Sequence, residues 1–147
     1  MILVSACLCG VNCKYSGGNN FNDKVHELFK DGKAMPICPE VLGGLDTPRP
    51  PHEIIDGDGR GVLDGICKVK SKNNIDSTEA FLKGAYETLN IAKTIDPEYI
   101  ILKANSPSCG FKNIYNGKFD GSKIHGNGVT AELLFQHGYK ILTEEDL

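Results

Sequence analysis

Four short, near-continuous apolar runs set the limits on what this chain can fold into: Met1–Val4, Ala34–Ile37, Tyr99–Leu102 and Tyr139–Leu142. Runs of this length without polar alternation are the pattern of strands covered on both faces. Helical patterns lie between them. Asp76 with Glu79 three residues on reads as a capping box built on Asp, and Phe81, Ala85, Leu89, Ala92 and Ile95 keep one face apolar until Pro97 stops the helix. A shorter helix is expected over Asp23–Lys30, with Val25, Leu28 and Phe29 inward and Gly32 near its end. A third fits Val129–His137, closed by Gly138. Strands alternating with helices predict an α/β fold: one domain over residues 1–147, its mostly parallel sheet covered by helices in a Rossmann-like three-layer arrangement. The stretch Glu53–Asn74 breaks the rhythm, with a loop at Asp56-Gly57-Asp58-Gly59 and an extra edge strand expected over Ile66–Val69.

Composition narrows the function classes. A chain of 147 residues with 40% apolar and 24% charged residues has room for one core of ordinary soluble type. Its net charge of −3 provides no global basic field, so a nucleic-acid partner is not expected. The apolar runs fall far short of the ~20 residues that span a bilayer, so no membrane partner is expected either. Met1–Ala6 carries no positively charged leader and reads as a first strand, so the expected compartment is the cytoplasm. Six cysteines in a reducing compartment point to metal, cluster or thiol chemistry rather than to a disulfide frame. The competing reading of any single one is a small buried hydrophobe.

The placement of three cysteines is the main inference from residues alone. Cys7 lies just past the first expected strand, Cys38 at the end of the second and Cys109 just past the third. In a covered parallel sheet all three strand ends face one rim, where ligands bind. Each cysteine sits among loop formers: Cys7-Leu8-Cys9-Gly10, Cys38-Pro39-Glu40 leading to Gly43-Gly44, and Ser106-Pro107-Ser108-Cys109-Gly110. A structural zinc site closes with four ligands, often in CxxC pairs, and a bacterial-ferredoxin cluster needs a tight cysteine run; the chain has neither pattern. Three dispersed cysteines would leave one iron of a cluster open to substrate. Spacing alone leaves iron–sulfur, zinc and bare thiol chemistry all open.

These motifs, with Leu45 and Pro48-Arg49-Pro50 after the second, resemble a bacterial family long called a domain of unknown function, which includes thiouracil desulfidase. Tyr115-Asn116-Gly117-Lys118-Phe119 and Gly126-Asn127-Gly128-Val129-Thr130-Ala131 add to the likeness, which covers nearly the whole chain. The resemblance implies a [4Fe-4S] cluster on Cys7, Cys38 and Cys109, with the fourth iron open to take sulfur from a thiolated nucleobase or nucleoside. The implied reaction is hydrolytic desulfidation, 2-thiouracil and water giving uracil and sulfide. Glu40 and Ser106 match the family's acid/base and substrate-handling positions. Cys13, on the same loop as Cys7, is the candidate substitute ligand, and Cys67 reads as packing. Lys14-Tyr15-Ser16-Gly17 stands where the family pattern has Arg-Tyr-Asp-Gly, and Asp76-Ser77-Thr78 where it has Asp-Val-Thr. Both departures bear on substrate identity. The alternatives are a non-enzymatic metal-, cluster- or sulfur-binding module and a metal-free enzyme that forms a persulfide on Cys109 or Cys38. Oligomeric state stays open.

Other features carry weaker expectations. His26, His52, His125 and His137 show no metal spacing and read as surface or core residues. Asp56-Gly57-Asp58-Gly59 resembles the start of a calcium loop, but Cys67 stands where such a loop needs Glu. Gly126-Asn127-Gly128 before a helix could bind an anion through backbone N–H groups. Lys103, Lys112 and Arg49 are candidates for cationic contacts near the rim.

Overall fold

The computed structural model describes residues 1–147. Strands β1 (Ile2–Ser5), β2 (Ala34–Ile37), β5 (Ile100–Leu102) and β8 (Ile141–Thr143) form one sheet in the order β2-β1-β5-β8, and every neighbouring pair is parallel. The apolar runs thus mark the strands to within two residues. Pro36 sits in β2, an edge strand, where its missing N–H breaks no ladder on the open side. Burial on both faces follows the strand period. Leu3, Ile100 and Leu102 pack into the larger core with Phe81, Ala85 and Leu89 of α4 (Thr78–Ile95) and Leu133 and Leu134 of α5 (Val129–Gln136). Ile2, Val4 and Ile101 face the other way, onto Val25 of α1 (Asp23–Lys30) and onto Leu8 and Cys9. Helices therefore cover both faces of the sheet.

Local signals account for most helix ends. Asn22 caps α1 by accepting from Lys24 and Val25 N–H, and Gly138 takes a left-handed φ of 87° just after α5. Three expectations are corrected. Asp76 is not the cap of α4: Ser77 occupies that position, and the Asp76 carboxylate accepts from Thr78 N at 2.9 Å and Thr78 Oγ1 at 2.6 Å instead. Phe29 is 40% exposed, because the short helix buries only the Val25 stripe fully. The strand expected over Ile66–Val69 is β4 (Lys68–Ser71), and it leaves the main sheet to pair antiparallel with β3 (His52–Ile55). Within that insertion the Asp56–Gly59 loop ends in Asp58, which caps α3 (Gly59–Leu63) through Gly61 N–H. A second hairpin, β6 (Asn113–Tyr115) with β7 (Lys123–His125), carries too few apolar residues to show in the pattern.

Candidate active site

The carboxyl ends of β1, β2 and β5 open into one cavity of about 520 Å³. The strand order reverses direction at β1, so the crevice between β1 and β5 is the switch point at which an open α/β sheet binds ligands. Cys7, Cys38 and Cys109 all line this cavity, together with Glu40, Ser106 and Cys13. No three His, Cys, Asp or Glu side chains are gathered tightly enough for a single metal ion. Cys9 and Cys67 lie elsewhere: Cys9 is buried in the smaller core, and Cys67 packs on Gly57 and Gly61, where an added Cβ would sit 2.3 and 2.5 Å from its sulfur.

Each rim cysteine is held differently. Cys38 is the N-cap of α2 (Pro39–Leu42). A hydrogen bond from the Cys13 thiol, aided by the Val41 N–H, lowers the Cys38 thiol to about 7 against the opposing effect of burial. The same bond, with burial, raises Cys13, which keeps its proton. Cys109 is 4% exposed, and burial pushes its thiol up to about 12, with Cys7 and Cys38 adding to the rise. Ser5 opposes that shift by donating to Cys109 Sγ at 3.4 Å, while Ser5 Oγ accepts Lys103 N–H at 2.9 Å. Burial also raises Cys7, against a hydrogen bond from Asn20.

Glu40 lies in the first turn of α2, and both its oxygens are engaged. Arg49 Nε donates to Oε1 at 3.0 Å, and Ser108 Oγ donates to Oε2 at 2.8 Å. Arg49 is the cationic contact expected near the rim, and its guanidinium also reaches Asp46 O, Thr47 Oγ1 and, at 2.9 Å, Cys13 O. Ser106 Oγ accepts Cys109 N–H at 2.7 Å and lies 3.4 Å from Ser108 Oγ. Ser108 thus stands between Ser106 and Glu40; the Ser-Pro-Ser spacing was its only signal in the sequence. Lys103 also reaches the cavity, paired with Glu144 at 2.8 Å, whereas Lys112 is exposed over the Phe111 ring.

The expected anion site before α5 is corrected. The Gly128, Val129, Thr130 and Ala131 N–H groups are taken by the carbonyls of Gly110, Pro107 and Ser108 at 2.7 to 3.1 Å. Gly128 permits this contact, since a Cβ there would lie 2.6 Å from Ser108 O. The helix end fixes the Cys109 loop rather than a free ion.

A family model described as 2-thiouracil desulfurase matches residues 2–146. The chain belongs to this family. It is 50% identical over 147 residues to the uncharacterized protein YbbK of Bacillus subtilis (strain 168), a match covering 100% of this chain and 97% of that protein. A solved structure titled [4Fe-4S]-dependent thiouracil desulfidase TudS superposes with a TM-score of 0.86 at 37% identity, covering 99% of this chain and 91% of the other. The desulfurase-family fold is thus shared at the level of the whole chain. No helix of the chain is long and apolar enough to cross a membrane.

Proposed function

We propose that this protein is an iron–sulfur-dependent desulfidase that removes sulfur from a thiolated nucleobase or nucleoside, 2-thiouracil to uracil plus sulfide being the type reaction. The observation that carries the reading is the arrival of Cys7, Cys38 and Cys109 in one cavity beside Glu40 and Ser106, in a chain of the desulfurase family. The donor set fits a [4Fe-4S] cluster. Three thiols from three separate strand ends border a shared space, and a cluster takes each thiolate on a different iron. Cys7, Cys38 and Cys109 would hold it, with Cys13 as the substitute ligand beside Cys38.

When bound, the cluster supplies an open, Lewis-acidic iron that accepts the departing sulfur. The chain's own groups manage the proton. Glu40, fixed by Arg49 and Ser108, is the acid/base that takes a proton from the attacking water. Ser106 and Ser108 extend from that carboxylate toward the Cys109 loop and can pass a proton along two hydroxyls. Ser106 handles the substrate at the end of this chain. The reaction is hydrolytic, the compartment cytoplasmic and the substrate a small molecule.

The second reading is a metal-free enzyme that forms a persulfide on Cys109 or Cys38, both of which line the cavity. Anaerobic reconstitution with iron and acid-labile sulfide analysis separates the two. About four iron and four sulfide per chain, lost in Cys7→Ala, Cys38→Ala and Cys109→Ala but kept in Cys67→Ala, is the expected result. Sulfide release from 2-thiouracil without bound iron would overturn the cluster reading.

A further inference from the structure

One buried carboxylate in the cavity wall has half of its hydrogen-bonding capacity unassigned. Glu53, on β3, is 9% exposed and lines the cavity. Its Oε1 accepts the N–H groups of Gly117 at 2.9 Å and Phe119 at 3.2 Å. No cation pairs with it, in contrast to Glu40, held by Arg49, and Glu144, held by Lys103. Its Oε2 has no protein donor and is not sealed from solvent, and the cavity is the open space against this side chain. A carboxylate withdrawn from bulk water without a counter-ion is costly until a donor reaches it.

The same residue shapes the wall beside it. Gly117 has φ 88°, and a Cβ there would lie 2.5 Å from Ile54 O, so only glycine lets the loop approach β3 this closely. Phe119 follows with φ 55° and lines the cavity with Tyr115. Glu53 gathers the two N–H groups of this loop and so sets where the Phe119 ring stands. The result is a flat aromatic group beside an uncommitted anionic acceptor. That pairing fits a planar heterocycle carrying a ring N–H.

We propose that Glu53 is a specificity-determining residue: its Oε2 accepts a ring N–H adjacent to the thiocarbonyl carbon of a thiolated pyrimidine, whose face rests on Phe119. The assignment rests on the desulfidase reading. Glu53→Gln isolates the recognition role. The amide oxygen still accepts from Gly117 and Phe119, while an NH₂ group replaces the acceptor that met the substrate N–H.

The test measures sulfide release by reconstituted wild type and E53Q from 2-thiouracil, 1-methyl-2-thiouracil and 3-methyl-2-thiouracil. A hydrogen bond to a charged group predicts that wild type loses about 10- to 100-fold in kcat/KM on one of the methylated compounds. E53Q should lose a similar factor on 2-thiouracil, mainly in KM, with little further loss on that methylated compound. Equilibrium binding of uracil and its two N-methyl derivatives should show the same pattern without turnover. Equal losses on all compounds would make Glu53 a loop anchor only and overturn the proposal, as would no discrimination by wild type. Should E53Q not fold, Glu53→Asp takes its place: narrowed discrimination supports the assignment and unchanged discrimination overturns it. Sulfide release from none of the three by wild type would instead defeat the desulfidase reading, while the uracil series would still decide the role of Glu53.

Discussion

The Arg49–Glu40 pair can be tested as a coupled unit by a double-mutant cycle. Their side chains are 5% and 14% exposed, and Arg49 is held by four acceptors, including Glu40 Oε1 at 3.0 Å and Cys13 O at 2.9 Å. Removing one partner of a buried pair costs about 3–5 kcal/mol, because the other charge is left without compensation. Arg49→Met falls at the lower end, about 3 kcal/mol, since Glu40 keeps its Ser108 bond and lines an open cavity. Glu40→Gln keeps an amide oxygen for Arg49 Nε and leaves the other three acceptors in place, removing only the counter-charge, and should cost about 1–2 kcal/mol. The double variant contains no stranded charge. It should lose about 2–3 kcal/mol rather than the sum of about 4–5, a coupling of about 2 kcal/mol. Urea unfolding of anaerobically reconstituted protein at fixed iron loading, followed by circular dichroism, measures all four corners. Sulfide release provides an independent readout. It should fall about 10²- to 10⁴-fold in Glu40→Gln if Glu40 is the proposed acid/base, and stay low in the double variant, which is no more stable than Glu40→Gln. Additivity within about 0.5 kcal/mol would refute the claim that Arg49 and Glu40 act as one buried unit.

Two further outcomes test the frame around the site. Gly84 of α4 and Gly43 after α2 let the two helices touch: a Cβ at Gly84 would lie 1.9 Å from Pro39 O, and one at Gly43 2.0 Å from Ala80 O. Gly84→Ala should destabilise despite a helix-propensity gain of about 1 kcal/mol, because overpacking against backbone costs about 1–3 kcal/mol and no rotamer relieves it. A thermal midpoint at or above that of wild type would show the contact to be loose. His52, buried against Phe81, has its pKa lowered chiefly by burial. Its unfolded form therefore binds a proton that the folded form resists, so stability should fall as pH drops below about 6.5, the unfolded value. Unfolding free energies between about pH 7 and pH 5 should show a steeper loss for wild type than for His52→Gln, and parallel curves would rule out this source of acid sensitivity.

The parallel sheet and, through it, the meeting of three cysteines at one cavity are legible in local residue patterns. Runs such as Met1–Val4 and Tyr99–Leu102 are local records of burial on two faces, and parallel strands must end on one side. Helices α1, α4 and α5 were legible for the same reason, since their apolar spacing and end residues lie within each segment. Partnerships across long separations emerge only in the folded chain. Nothing near Glu40 indicates that its second oxygen meets Ser108, nor does Glu53 announce that it holds Gly117 and Phe119. The Gly126–Gly128 turn could have served an ion as well as the Pro107 and Ser108 carbonyls that fill it. Periodicity reports whether a segment is buried, because burial acts on every turn or alternate residue. It is silent on a single hydrogen bond between residues brought together only when distant loops close over the sheet.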